Sequence, residues 1–411
     1  MTIVEFFDKT PLENIAGAML LKPRKVIYVG DKRKRIEKGI RAYKRVMAQR
    51  GIDVIMTYSI ASRNSIDDIV DTLEHIVASN PDAVFDLTGG EDLYLAAVGI
   101  IMERHKGEIQ CHRFNLKNSV LIDCDADGNV YEVESFDISA EENIILHGAE
   151  IVRESEESDF GTYDWDFNDE FCLDIEKMWT ICRNDSRLWN AHVGTLRTVN
   201  ELYSFQDSMT VAFNKTEAQE EVRRRGIKYV FITGIMKALE ENGLISKLII
   251  GDEISFTYKN SQIKRTLTLA GQILELFVAK RIIHVEDDGI PLYHDTRVGL
   301  IVDWDAADDE EKVKTVNEID VLTMKDSIPV FISCKNGMFD VDELYKLETV
   351  GNHFGAGYAK KVLVTGDLNR MGARAEHIRR RAADMNIRLI ENVDEITDED
   401  FDRILRSLWL N

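Results

Sequence analysis

"PVFISCKNG", residues 329–337, decides how this chain reads. Phe331, Ser333 and Lys335 alternate with Ile332 and Cys334, the period of a strand whose successive side chains take opposite faces. One face therefore ends in a lysine beside a hydroxyl, just before a glycine turn. The preceding run, "NEIDVL" (317–322), aims Glu318 and Asp320 from one face of its own strand. A helix upstream, "GQILELFVAKRI" (271–282), offers Glu275. Carboxylates grouped this way suit Mg²⁺ or Mn²⁺. Such an ion stabilises a phosphate under attack, and a lysine beside it orients water or neutralises developing charge. The plainer reading is a cross-strand ion pair between Asp320 and Lys335 on a wet face.

Around this stretch, "VGLIVDWD" (298–305), "AKKVLVTG" (359–366) and "IRLIEN" (387–392) read as further strands. "FDVDELYKLETVGNHFG" (339–355) and "MGARAEHIRRRAADMN" (371–386) read as helices. Residues 271–411 thus form an α/β domain with a mixed sheet. Residues 1–155 form another. Apolar runs at 25–30, 52–59, 82–90 and 109–116 alternate with amphipathic helices, which implies a Rossmann-like parallel sheet covered on both faces. "ADGN" (126–129) is a hairpin turn. Residues 156–270 are mostly helical, with a helix-turn-helix and a β-hairpin wing. The acidic stretch 153–169 is read as a flexible linker. The wing segment "YKNSQIKR" (258–265) is either a DNA contact or part of a rigid spacer.

Fifty-one basic against 73 acidic residues give a formal charge of −22, so any nucleic-acid contact must be local rather than bulk. Five cysteines without paired metal spacing fit a reducing compartment. No long apolar run or signal-like segment is present, so a cytoplasmic protein without membrane contact is expected. Arg370, Arg374, Arg379, Arg380 and Arg381 form the basic run best suited to substrate. Trp304 is placed to stack a base, and Glu348 is a further acid for the lysine face.

In the first region, "VGDKR" (29–33), "YSIAS" (58–62) and "TGGED" (88–92) fall at the carboxyl ends of strands, where open α/β sheets bind ligands. This selects Gly30, Asp31, Lys32, Ser59, Thr88, Gly89 and Gly90. Gly89 and Gly90 let backbone amides approach a phosphate, and the helix that follows presents its positive end. Asn14 is placed either to meet a base or ribose or to cap the short helix around it. No GxGxxG follows the first strand, which argues against a nicotinamide enzyme.

The lysine strand and its acids resemble the PD-(D/E)xK nucleases, of the restriction-endonuclease-like fold, with Ser333 where that pattern has an acid. "VEFFDKTPLENIAG" and "FDLTGGEDLYLAAVG" resemble the CRISPR-associated Rossmann-fold (CARF) sensor. Taken with "NEIDVL" and "FISCKNG", nearly the whole chain resembles the type III CRISPR ancillary nucleases. The resemblance implies a homodimer that binds cyclic tetra-adenylate across paired sensors. It implies catalysis by Asp320, Lys335, Glu275, Glu318 and Ser333. Mn²⁺ or Mg²⁺ would be held by Asp320, Glu275 and Glu318. The substrate would be single-stranded RNA or DNA, with duplex DNA a further candidate. Two other readings stay open: a ligand-responsive transcription regulator with a degenerate nuclease domain, and a nucleotide-dependent metabolic enzyme.

Overall fold

In the computed structural model, residues 1–409 are described except 107, 125–127, 134, 156–159, 185, 205–207, 305–315 and 367. The central strand of the first sheet is one the sequence conceals. Thr2–Phe6 is buried along its whole length and lies between Lys25–Gly30 and Ala83–Asp86, although Glu5 interrupts its apolar residues. Ile55–Ile60 and Gln110–Asn115 complete the parallel part of the sheet. Val120–Asp123 and Val130–Glu132 add antiparallel strands at one edge; residues 126 and 127 of the expected turn lie outside the described residues. The strand order reverses beside Thr2–Phe6. The loops after that strand and after Ala83–Asp86 therefore flank the crevice in which such sheets hold ligands.

The middle region runs helix Ser186–Tyr203, strand Thr210–Asn214, helices Lys215–Arg224 and Thr233–Glu241, then strands Ile245–Ile250 and Glu253–Tyr258. This is winged-helix order, with the first strand paired to the hairpin. Two lysines that follow the hairpin are tied to neighbouring segments. Lys259 Nζ lies 2.6 Å from Asp174 and 2.7 Å from Glu170, and Lys264 donates to the Ser208 carbonyl at 2.8 Å. These charges hold the region together.

The C-terminal sheet runs Ile387–Ile390, Lys360–Thr365, Ile328–Lys335, Val316–Lys325, His294–Asp303 and Glu150–Ile151. Its edge strand comes from the first region. The flanks of the expected flexible linker are therefore built into this sheet. Val152 N donates to the Ile301 carbonyl at 2.8 Å, Thr162 N to the Val152 carbonyl at 2.7 Å, and Ile301 N to Thr162 Oγ1 at 2.8 Å. Backbone pairing overrides an acidic composition here because the acidic side chains need not enter the sheet. One buried apolar cluster then runs from Leu12, Ile15 and Ile40 through Ile144 to Leu344, Phe354 and Ile378. The N-terminal and C-terminal regions share a core directly. Tyr358 adds a polar contact across it, its hydroxyl donating to Glu13 Oε1 at 2.7 Å.

Candidate active site

A two-residue turn sets the register of the site. Lys325 pairs with Ile328 across Asp326 and Ser327, and Asp326 takes the left-handed backbone (φ +53) that such turns require. Following that register from the Val321–Ile332 pair brings Asp320 to the level of Ser333. The sheet changes face at this level. Val298 and Val321 belong to one core cluster, Leu300 and Ile319 to the other, and between them lie Asp320 and Gly299, whose φ is +62. The local irregularity turns the Asp320 carboxylate toward the neighbouring strand. Its Oδ2 accepts from Cys334 N at 2.7 Å, Lys335 Nζ at 3.0 Å and Ser333 Oγ at 3.1 Å.

Lys335 is held between two acids, with Glu343 Oε2 3.3 Å from its ammonium. Burial works against the charged lysine, yet Asp320 and then Glu343 outweigh it and hold Lys335 above the usual lysine range. Burial likewise pushes Glu343 up, but Lys346 and Lys335 leave it below the usual carboxylate range. Glu275, in the first turn of the helix Gln272–His284, is pushed well up, first by burial and then by Asp320 and Glu318. Gln272 Nε2 donates to its Oε2 at 2.9 Å. Glu318 rises for the same two reasons, burial and then Asp320. A small cleft of about 70 Å³ opens on Asp320, Ser333, Lys335 and Glu343.

The sequence-selected residues Asp320, Ser333 and Lys335 are thus in direct contact, and Glu275 and Glu318 crowd Asp320 electrostatically. Among the described residues, no three His, Cys, Asp or Glu side chains form a ready-made metal cluster. The donor chemistry nevertheless fits a cation, since Glu275 and Glu318 both sit in like-charge crowding that a divalent ion would relieve. Glu343 is the acid that sequence reasoning missed; its signal was a place in the first turn of the helix following Lys335. Glu348 instead pairs with Lys361. Trp304 stacks on His353 at 4.3 Å and meets the edge of Phe354 at 5.1 Å, so it packs on the helix Asp342–Gly355 rather than lining this cleft. The expected basic run is charge-compensated: Arg374 meets Asp340, Arg379 meets Glu391, Arg380 meets Glu376 and Arg381 meets Asp384.

The N-terminal candidates sort differently. Gly90 has φ +110, and a Cβ there would lie 2.6 Å from Phe6 Cβ, so only glycine fits this turn. Gly89 packs against Asp8 and Glu13. Arg63 joins the two neighbouring loops, 3.4 Å from Asp31 and 3.7 Å from Glu91, and no sequence signal marked it. Gly30 is buried and Lys32 exposed at the helix start. Thr88 and Asn14 are committed internally. Thr88 bonds Asp86 through both its amide and its hydroxyl, and the hydroxyl also accepts from Phe114 N at 2.8 Å. Asn14 is buried, accepting from Asp8 N at 2.7 Å and donating to Tyr43 Oη at 2.9 Å. Both brace the loops that flank the crevice. Ser59 lies on the edge strand, in a separate cavity with Asp68, Thr72 and His75.

Residues 262–406 match the family described as Card1-like, endonuclease domain. No curated protein matches the chain. Among solved structures, protein VC1899 from Vibrio cholerae has a similar fold, with a TM-score of 0.74 and 19% identity over 99% of this chain and 97% of that one. Can2 from Sulfobacillus thermosulfidooxidans, solved with cyclic tetra-adenylate, gives a TM-score of 0.68 and 12% identity over 100% and 99%. The carboxylate–lysine site therefore lies in a Card1-like endonuclease domain, within a chain that shares its whole architecture with these two proteins.

Proposed function

We propose that the protein is a divalent-metal-dependent nuclease of CRISPR defence, activated by cyclic tetra-adenylate. The observation that carries this reading is the convergence of Asp320, Lys335 and Glu343 inside the endonuclease domain. Asp320, with Glu275 and Glu318, would hold Mn²⁺ or Mg²⁺, and that ion would supply Lewis-acid stabilisation of the scissile phosphate. The chain's own contribution is positional. Ser333 Oγ and Cys334 N fix the orientation of Asp320, while Glu343 steadies Lys335. The ammonium, kept charged by its two acids, neutralises charge that builds on the phosphate or orients the attacking water.

Cyclic tetra-adenylate would sit on the glycine turn at Gly89 and Gly90, with Gly30, Asp31 and Lys32 on the next loop, across the two-fold axis of a homodimer. The N-terminal region reaches the endonuclease domain through the shared core and through Glu13, which accepts from Tyr358 and lies where a Cβ on Gly89 would meet it. The ligand switches activity only by favouring one arrangement of these contacts over another. A second reading, a ligand-responsive transcription regulator, draws on the winged-helix order, but it leaves the cleft on Asp320 and Lys335 without a role. The test is incubation with labelled single-stranded RNA, single-stranded DNA and supercoiled plasmid, with and without Mn²⁺ and cyclic tetra-adenylate. Cutting that requires both supports the proposal. Operator binding without cutting supports the regulator.

A further inference from the structure

A cavity of about 310 Å³ opens one residue beyond Lys335. It lies at the carboxyl ends of the parallel strands Ile328–Lys335 and Lys360–Thr365, with Thr365 the register partner of Lys335. Gly337 and Gly366 give it flat peptide walls, and Met338 and Met371 give it apolar ones. Met338 is 70% exposed, an unusual place for a large apolar side chain. The wall next to Lys335 is braced from the middle region, where Asn190 Nδ2 donates to the Asn336 carbonyl at 2.7 Å. One side is polar. Arg370 and Asp394 lie there with guanidinium and Oδ2 3.9 Å apart. Asp394 Oδ1 is buried with no hydrogen-bond partner among the described residues, a state that stays unfavourable until a donor arrives.

We propose that this cavity holds a guanine base of the substrate strand, beside the phosphate cut at Lys335; the proposal rests on the nuclease reading. Guanine presents the donors N1–H and N2–H₂ next to the acceptors O6 and N7. Asp394 meets the donors and Arg370 meets the acceptors. Adenine and cytosine each set a ring-nitrogen acceptor beside their amine, against the carboxylate. Uracil and thymine turn carbonyls toward it. The methionines and glycine peptides supply the stacking surfaces that enzymes use for an unstacked base.

The test uses single-stranded RNA and DNA oligonucleotides of an adenine background carrying one guanine, moved stepwise along the strand, with Mn²⁺ and cyclic tetra-adenylate. Cutting is expected at a fixed offset from the guanine and about 5- to 100-fold slower where adenine replaces it. Inosine, which lacks N2–H₂, should fall between. Asp394→Asn should collapse the preference. Cut positions indifferent to guanine, or a preference that survives Asp394→Asn, would overturn the proposal. If no oligonucleotide is cut under any condition, the nuclease reading fails, and calorimetric titration with 5′-GMP and 5′-UMP decides the cavity alone. Binding of GMP but not UMP, lost in Asp394→Asn, supports it; equal binding of the two, or none, overturns it.

Discussion

Glu5 and Asp86 in the N-terminal sheet, and Glu318 and Asp320 in the C-terminal one with Glu275 on the helix packed against it, are built from the same parts. Each group crowds carboxyls together at a sheet, and each has a basic partner. His112 Nε2 lies 3.1 Å from Asp86 in the first, and Lys335 lies 3.0 Å from Asp320 in the second. Burial and a carboxylate neighbour raise Glu5 well above its usual range, much as they raise Glu275. The groups differ in access. Glu5 is 1% exposed, Asp86 0% and His112 4%. Gly17 closes the first group so tightly that a Cβ there would lie 2.5 Å from Asp86 Oδ2 and 2.7 Å from Glu5 Oε1. The second group opens to a cleft that Glu318, Asp320 and Lys335 line. A perturbed carboxyl marks burial; it marks chemistry only where a substrate can reach it.

The strongest way to break this comparison is to neutralise one acid in each group. Asp320→Asn should slow cleavage at least about a hundredfold, whereas Glu5→Gln should leave activator-dependent cleavage within about twofold of the parent, about 0.4 kcal/mol. Equal losses in single-turnover assays would erase the distinction. Packing gives the next effect. Gly17→Ala forces a methyl into the closed group and should destabilise the fold by about 1–3 kcal/mol in denaturant titration. Gly99→Ala, in the helix Asp92–His105 where a Cβ meets nothing within 4 Å, should hold or gain stability by up to about 1 kcal/mol.

The pH dependence sharpens the comparison further. The folded chain holds the Glu5 proton more tightly than the unfolded chain does. Its contribution to stability is therefore complete below the unfolded carboxyl value of 4.5 and declines as pH rises through the raised folded value. Glu5→Gln should flatten that decline in melts taken across pH 4 to 8, about the range over which a carboxyl raised by burial titrates. A slope unchanged by the substitution would show that Glu5 is ionised in the fold. The smallest effect belongs to the contact between regions. Tyr358→Phe removes the hydroxyl that reaches Glu13 and should change the activator concentration for half-maximal cleavage by about 2- to 30-fold. No change would place the coupling in the apolar core alone.

Much of this was legible in the sequence because period-2 alternation and register are local. "NEIDVL" and "FISCKNG" set Asp320, Ser333 and Lys335 side by side once a two-residue turn joined them. Three features were hidden for physical reasons. Glu5 masked the central strand Thr2–Phe6, since a buried carboxyl whose charged form burial disfavours still reads as a charge in composition. Arg63 acts across elements, so no spacing along one strand or helix announces it, and Glu343 shows only as one of two acids in the first turn of the helix after Lys335. The acidic segment after residue 152 read as a linker because hydropathy describes side chains, while sheet pairing there is made by backbone. Thr88 stands just past the end of Ala83–Asp86 and Asn14 in the helix Pro11–Leu21, and both brace the loops there through hydrogen bonds that composition does not announce.

The most direct measurement is the rate of phosphodiester cleavage by the parent protein and by Lys335→Ala, with Mn²⁺, as cyclic tetra-adenylate is titrated. The account predicts cutting that rises with activator in the parent and is absent in the variant, while both bind the activator equally. Undiminished cutting by Lys335→Ala would contradict it, and so would a parent protein that binds the activator and cuts nothing.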